Sequence, residues 1–215
     1  MRVPSTILTA VSLALTACGG TGSTAPGGQT VTPSITVTIA ANPIASGTSA
    51  QASATMTDAS GNTSPASGVT WSSSVSSVAS INASGLVTGG KAGLTNIQAT
   101  SGSLTGYLSV TVKAGAPASV SIYAGDNQMG NHGSQLPDPL CVLVKDAAGN
   151  VVPGVVATYG VATGGGMLAA PTTPSTDALG VAISGLWSLG SLIGQQTIVA
   201  SVNGAGSVTF KATAQ

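Results

Sequence analysis

The sequence contains no glutamate, and charged side chains of every kind are scarce. Asp, Glu, Lys and Arg together make up 5% of the 215 residues, and five basic residues balance five acidic ones. A protein that binds nucleic acid needs a basic surface to neutralise phosphates, so that class is excluded. Hydrophobic residues make up 42% of the chain. They form no run approaching about 18 residues, the length of a membrane span, which favours a folded core of small side chains.

The groups needed for acid–base catalysis are nearly missing. Because His132 is the single histidine, a Ser-His-Asp site would have to form around it, and the nucleophile signature Gly-x-Ser-x-Gly is absent. A glycosidase would need a pair of aspartates, and the aspartates lie within a few residues of Gly, Asn or Pro, as turn residues do. We therefore expect no catalytic residue, and a hydrolase is a remote alternative. The aspartates are Asp58, Asp126, Asp138, Asp146 and Asp177.

Candidate metal ligands are equally few. Asp126, Asn127 and Asp177 could offer calcium its preferred oxygen ligands, but the calcium-loop pattern with its bidentate glutamate is missing. Cys141 and His132 are too few for a zinc site. The three glycines at 164–166 lack the Lys-Ser/Thr of a phosphate loop and predict a flexible turn. We expect neither a metal nor a cofactor, with weak calcium binding left open.

The first residues have the features of a targeting peptide. Arg2 is followed by a short apolar stretch, Ile7–Leu15, which is too brief to cross a bilayer. This stretch runs into Leu15-Thr16-Ala17-Cys18-Gly19, which resembles the bacterial lipobox. The resemblance implies removal of a signal peptide, residues 1–17, and attachment of diacylglycerol to Cys18, so that the membrane becomes a partner. The alternative is a secretory leader that is cleaved elsewhere.

The segment that follows predicts a flexible tether. Residues 18–32 are rich in Gly, Ser, Thr and Pro and cannot bury enough apolar area to order themselves. The resemblance to lipoproteins implies that Gly19, the residue after the cysteine, is not an inner-membrane retention signal. The expected location is the cell envelope, at the outer membrane or the cell surface.

The second cysteine has no intramolecular partner if Cys18 carries lipid. Cys141 lies in the apolar run Leu140–Val144, where a thiol is usually an inert small hydrophobe. A reactive or intermolecular cysteine is the alternative. The folded part of the chain is therefore expected to be stable by packing alone.

Hydrophobic periodicity predicts an all-β fold. Ile35, Val37 and Ile39 alternate with threonines, this period of two recurs along the chain, and helical periodicity is absent. Thirty glycines and abundant Ser and Thr also disfavour helices. Short β-rich runs separated by turn residues are typical of a sandwich or a barrel.

The two halves of the chain share a turn. Asp58-Ala59-Ser60-Gly61-Asn62 in the first half is nearly repeated by Asp146-Ala147-Ala148-Gly149-Asn150 in the second, and each follows an alternating strand. An Asp that accepts backbone N–H groups and a Gly with positive φ suit a hairpin turn. Each half also has one tryptophan, Trp71 or Trp187. Two modules are expected, joined by a short linker at Lys113–Pro117.

Four segments of the first half follow one recognisable order: Val69–Ser74, Val78–Ile81, Ala83–Gly89 and Ala92–Thr100. Over residues 33–113 this order resembles the bacterial immunoglobulin-like (Ig-like) domains of group 2. The resemblance implies a β-sandwich in which Trp71 is a core residue.

The second half carries a different set of segments: Asp126–Gln128, Val142–Asp146, Gly149–Val155, Thr176–Asp177, Trp187–Gly190, Thr197–Ala200 and Val208–Ala212. Over residues 117–215 they resemble, in a diverged form, the group 1 Ig-like domains of the invasin and intimin type. The resemblance implies a second sandwich with Trp187 in its core. Ala157 and Tyr159 depart from the bulkier residues common in that family, which leaves any inherited partner open.

The targeting peptide, the two modules and the scarcity of catalytic residues together predict a non-enzymatic, lipid-anchored protein. Its tandem modules are expected to serve adhesion, spacing or protein interaction. The alternative is a carbohydrate- or matrix-binding module, which would need exposed aromatics, whereas Trp71 and Trp187 are expected in cores. The partner, protein or polysaccharide, stays undetermined. Binding is expected to map to the second module, in the long loops 125–137 and 164–179 around His132 and Asp177.

Overall fold

The computed structural model describes residues 31–215, so the predicted signal peptide, Cys18 and nearly all of the predicted tether lie outside the described residues. The described chain consists of strands, turns and loops, and it divides into two compact units between Lys113 and Ala114. Each unit is a β-sandwich, which confirms the predicted all-β, two-sandwich architecture. Within residues 31–215 no helix is long and apolar enough to cross a membrane.

The first unit contains two packed sheets. One has the strand order β1-β3-β7-β6, with β4 beside β3, and the other has the order β2-β9-β8-β5. Strand β2 pairs with β9 in parallel, while β8 and β9 form a long antiparallel hairpin. The strands are β1 (Ser34–Ile39), β2 (Ile44–Ala45), β3 (Ser49–Thr57), β4 (Thr63–Pro65), β5 (Thr70–Ser73), β6 (Ala79–Ile81), β7 (Leu86–Gly89), β8 (Gly93–Ser101) and β9 (Leu104–Lys113).

Alternation along the strands fills the space between these sheets. In β9, the side chains of Leu108, Val110 and Val112 are buried, whereas the residues between them are exposed. They pack with Ile35 and other small apolar residues of the opposite sheet. The period of two that recurs along the sequence thus gives this strand one face that lines the core.

Trp71 lies at the margin of this core. Its side chain is partly buried and packs against the core cluster from β5, the edge strand of its sheet. An edge strand has a neighbour on one side only, so part of a large ring on it stays in contact with solvent. The expectation that Trp71 is a core residue is correct for its direction and wrong for its degree of burial.

The second unit is also a sandwich. Strands β10-β12-β15 form one sheet, β11-β18-β17-β13 form the other, and β14 and β16 pair separately. Strand β11 runs parallel to β18, and the remaining pairs in this unit are antiparallel. The strands are β10 (Pro117–Ala124), β11 (Gln128–Gly130), β12 (Cys141–Asp146), β13 (Ala157–Thr163), β14 (Met167–Leu168), β15 (Val181–Ile183), β16 (Trp187–Ser188), β17 (Gly194–Val202) and β18 (Gly206–Ala214).

The second core is built around large aromatic residues. Trp187 and Phe210 are both fully buried, and the ring centroids of Tyr159 and Phe210 are 6.1 Å apart. The Tyr159 hydroxyl donates a 2.8 Å hydrogen bond to the backbone oxygen of Ala182, which satisfies its polar end inside the core. Burial and, secondarily, nearby Cys141 raise the pKa of Tyr159. The prediction for Trp187 is confirmed.

The residues expected to form a linker are held by the two units. Lys113 is the last residue of β9 and pairs with Ala45, while Ala114 packs against the core of the second unit. The N–H of Gly115 donates a 2.8 Å hydrogen bond to Oδ2 of Asp146. Lys113 is therefore part of a strand of the first unit, and Gly115 is hydrogen-bonded to a turn residue of the second unit.

Candidate functional site

Most of the acidic side chains that could have supplied chemistry are engaged in turns. Oδ1 of Asp58 accepts the N–H groups of Ser60 and Asn62 at 2.8 and 2.9 Å. The Asp58 carbonyl accepts the N–H of Gly61, which has a φ of 81° and therefore needs to be glycine. These hydrogen bonds lower the pKa of Asp58, led by the Asn62 N–H, because they favour the ionised carboxylate.

The same arrangement occurs at three further positions. Asn82, Asp146 and Asp177 each accept, through Oδ1, the N–H groups two and four residues later at 2.8–3.0 Å. The sequence analysis recognised this repeated motif at Asp58 and Asp146 but not at the other two positions. The signal that finds all four is Asp/Asn-Ala-x-Gly. Three of the five aspartates are thus structural.

The structure does not bring the candidate calcium ligands together. Oδ1 of Asp126 accepts the N–H of Lys211 at 2.7 Å, and Oδ2 accepts the Asn127 amide. Asp126 follows the end of β10 that pairs with Cys141, the first residue of β12. Asp177 hydrogen-bonds to Val181, which pairs with Leu143 further along β12. Among residues 31–215 no three His, Cys, Asp or Glu side chains are grouped so as to hold a metal ion.

His132 and Asp177 lie at opposite ends of the second unit. The His132 N–H donates to the carbonyl of Gln215, the residue after β18. The last residue of β18, Ala214, pairs with Gly194, so His132 lies near the start of β17. Asp177 lies two residues after Ser175, which pairs with Val156. The next residue, Ala157, pairs with Val202, so Asp177 lies near the end of β17. At about 3.3 Å per residue, β17 separates these ends by roughly 26 Å. His132 and Asp177 therefore do not form one site, although the second loop begins near His132: Gly164 lies against Gly190, whose carbonyl accepts the N–H of Gly133. The expectation that binding maps to these loops stays a prediction.

The two long loops of the second unit are closely held by the sandwich. The Gln128 side chain accepts the Asp138 N–H at 3.0 Å and donates to the Gly125 carbonyl at 2.8 Å, which closes the first loop. In the second loop, the carbonyls of Thr172 and Pro174 accept N–H groups from β13 and so cover its free edge.

The glycines at 164–166 form a turn in which Gly164 and Gly166 are closely packed and Gly165 is open. A Cβ at Gly164 would collide with the side chain of Gln196, and one at Gly166 would collide with the backbone of Ser188. Gln196 is buried, and its Oε1 accepts the N–H of Gly190 at 2.7 Å. Glycine is needed here so that two backbone segments can approach each other closely.

Cys141 is free and 7% exposed. Its strand neighbours Val142 and Val144 belong to the core, so the thiol lies on the opposite side of the sheet. Desolvation and, secondarily, the nearby Asp138 charge raise the pKa of this thiol. Because the thiolate is the reactive form, these surroundings favour the inert interpretation.

The sequence analysis missed a surface on the first unit. The outward side chains of β5, β8 and β9 form what we call the polar face, and Tyr107 projects from it with 65% of its surface exposed. Ser72 Oγ donates to Gln98 Oε1 at 3.0 Å, and Gln98 Nε2 donates to the Tyr107 hydroxyl at 3.1 Å. Alternation in β9 was the available signal. The face comprises Thr70, Ser72, Leu94, Asn96, Gln98, Thr100, Thr105, Tyr107, Ser109 and Thr111.

A family model matches the first unit. Residues 31–112 match the bacterial Ig-like domain (group 2). The match covers the segment whose residue order resembled that family, and one of the two sheets in this segment, β2-β9-β8-β5, carries the polar face. No curated protein matches the chain.

The chain is similar to solved structures of bacterial surface proteins. The chain is similar to FdeC, an adhesin of Escherichia coli, with 20% identity and a TM-score of 0.52 over 84% of the chain and 64% of FdeC. For the adhesin InvE of Yersinia pseudotuberculosis the identity is 19% and the TM-score is 0.40, over 85% of the chain and 58% of InvE. For the S-layer protein SbsC the identity is 16% and the TM-score is 0.43, over 87% of the chain and 28% of the SbsC structure. The chain thus spans less than two thirds of each of these structures.

Proposed function

We propose that the protein is a non-enzymatic, lipid-anchored protein of the cell envelope whose two sandwich units serve adhesion, spacing or protein interaction. The observation that carries the proposal is the use of the acidic side chains. Asp58, Asp146 and Asp177 hold turns, so the described units offer exposed faces on a stable scaffold. Folds of this kind host many functions, so the role is argued from these surfaces and not from the fold alone.

The likeness to FdeC supports a location at the cell surface. FdeC is an adhesin, and the chain shares its fold across both units. We carry the adhesive role to this chain as part of the proposal, together with the group 1, invasin and intimin type of the second unit. Cells that display the protein should adhere better to a coated surface than cells that lack it. If cells with and without the protein adhere equally well, both on protein coatings and on polysaccharide coatings, the adhesive role is contradicted.

The lipid anchor is supported by the lipobox residues Leu15–Gly19. Acyl chains contribute about 0.8 kcal/mol per buried CH2, and several chains on one cysteine give stable anchoring. Cys18→Ala should release the protein from the membrane fraction and abolish labelling by fatty acid. Cys141→Ala is the matched control, and it should stay membrane-bound. A Cys18→Ala protein that is still labelled and sediments with membranes would contradict the anchor.

Two other functions make different predictions. A hydrolase would show activity in a broad substrate screen of the purified protein, and His132→Ala would remove that activity. A carbohydrate-binding module would need an exposed aromatic side chain among neutral polar groups. The polar face around Tyr107 meets this requirement.

A further inference from the structure

We propose that the polar face of the first unit is a binding site for a neutral polysaccharide. The inference rests on the proposed binding role but not on the lipid anchor or the cellular location. It assigns the ligand to the first unit, whereas the loops of the second unit were the expected site. The argument has three parts: the regular array of side chains, the orientation of one aromatic ring, and the charge of the face.

The side chains of the polar face form rows across three strands. Ser72 pairs in register with Gln98, and Gln98 pairs with Tyr107. The next row contains Thr70, Thr100 and Thr105. Neighbouring strands lie about 4.8 Å apart and successive outward residues about 6.7 Å apart, so hydroxyl and amide groups recur at short, regular intervals. A polymer of hydroxylated rings can contact several such rows at once.

The Tyr107 ring is held in position by its row. Its hydroxyl accepts a hydrogen bond from Gln98, whose own oxygen is bound by Ser72, so the amide is fixed from both sides. The tyrosine hydroxyl keeps its own proton for a ligand. The face of an aromatic ring is electron-rich and attracts the polarised C–H groups on the flat side of a sugar ring. A ring that is already oriented loses less conformational entropy on binding.

The charge of the polar face favours a neutral ligand. None of its ten side chains is charged. Lys113 continues the outward row of β9 beyond this face, six residues and roughly 20 Å from Tyr107. Acidic polysaccharides need several cationic partners, and this side of the sheet supplies a single one, at its margin. Amides and hydroxyls both donate and accept hydrogen bonds, as sugar hydroxyls do, so neutral polar partners match each other.

The surroundings of Tyr107 argue against a protein ligand. The residues beside it in β9 and across from it in β8 are Thr105, Ser109 and Gln98, all of them polar. An aromatic anchor in a protein interface usually lies in a desolvated cluster of other large residues. The apolar member of the face, Leu94, pairs with Thr111 and is two rows away from Tyr107.

Affinity electrophoresis of the purified protein tests the proposal. The probes are native gels that contain hydroxyethyl cellulose, dextran or galactomannan, and a gel with polygalacturonate as the acidic comparison. We expect retardation by at least one neutral polymer and none by polygalacturonate. Tyr107→Ala should weaken the retardation at least about tenfold. Tyr107→Phe should keep most of it, and Gln98→Ala should lose part of it.

Tyr123→Ala is the matched control, because this tyrosine of the second unit is also exposed, at 62%. It should migrate like the unchanged protein in every gel. Trp71 fluorescence checks that the Tyr107 variants are folded. The proposal is overturned if no neutral polymer retards the protein, if polygalacturonate alone does, or if Tyr107→Ala behaves as the control. Tyr107-dependent binding to immobilised gelatin in place of the polymers would assign the face to a protein. None of these results bears on the lipid anchor, which is tested separately.

Discussion

At the scale of single residues, the two tryptophans differ in what they contribute. Trp187 is fully buried, and its Nε1 has no hydrogen-bond partner among the described residues. Trp71 packs on the margin of the first core. An unpaired buried N–H is unfavourable, whereas a buried indole ring stabilises strongly through its apolar area. The apolar contribution is the larger of the two, which explains how the core tolerates the unpaired group.

Truncation of the tryptophans should therefore have unequal effects. Trp187→Ala should lower the free energy of unfolding of the second unit by about 3 to 5 kcal/mol. Trp71→Ala should cost the first unit clearly less, because its ring is only partly buried. Trp187→Phe should cost less than Trp187→Ala, since the ring stays and the unpaired N–H is removed. Urea unfolding followed by circular dichroism measures these differences, and equal losses for Trp71→Ala and Trp187→Ala would contradict the assignment.

The carboxylate of Asp58 predicts a pH dependence for the first unit. Its pKa is lowered from 3.8 in the folded state, so its contribution is present at neutral pH and is lost as the pH falls through the lowered pKa. Asp58→Asn keeps the turn, as Asn82 shows in its own turn, but does not titrate. The difference in melting temperature between the two proteins should shrink as the solution becomes acidic. A difference that is constant from neutral to acidic pH would exclude this role.

The thiol of Cys141 should react slowly in the folded protein. Its raised pKa leaves little thiolate at a given pH, and burial limits access. In a Cys18→Ala background, Ellman's reagent at mildly alkaline pH should label Cys141 slowly until guanidinium unfolds the second unit. Complete labelling of the native protein on mixing would show that the thiol is accessible and reactive.

At the scale of elements, the repeated turns show what sequence patterns can and cannot predict. The alternation in β9 predicted its buried face, and the turn at Asp58 predicted its hairpin, because both depend on neighbours along the chain. Strand β11 was not predicted, and neither was the close packing of the turn at Gly164. They depend on Gln128 and Gln196, whose partners are brought close by the sheets and not by the sequence. The polar face escaped for the same reason, since its rows combine three strands.

Two glycines of the repeated turn separate two physical effects. Gly61 and Gly85 both have a φ of 81°, so alanine is strained at either position. A Cβ at Gly61 would have open space beyond Val31 at 3.6 Å, whereas one at Gly85 would lie 2.9 Å from the carbonyl oxygen of Ala52. Gly61→Ala should cost about 1 to 2 kcal/mol, the cost of the left-handed conformation. Gly85→Ala should cost more, and thermal unfolding would contradict this account if the two losses were equal.

At the scale of the whole molecule, function depends on surfaces and on location. The chain has two sandwich units, each with its own core, and residues 31–112 of the first match the bacterial Ig-like domain (group 2). Turns engage three of the five aspartates, which leaves exposed strands and loops to make contacts. An adhesive role requires that these surfaces face the outside of the cell. The proposed anchor at Cys18 and the proposed binding site around Tyr107 have a common use only in that location.

The most direct test is protease treatment of intact cells that express the protein, followed by detection with antibodies against the second unit. The account predicts that proteinase K removes the signal from intact cells, while a periplasmic marker protein stays uncut. Cells treated after permeabilisation of the envelope provide the positive control. If the protein is protected in intact cells and is cut only after permeabilisation, the units do not face the outside, and the proposed adhesive role is contradicted.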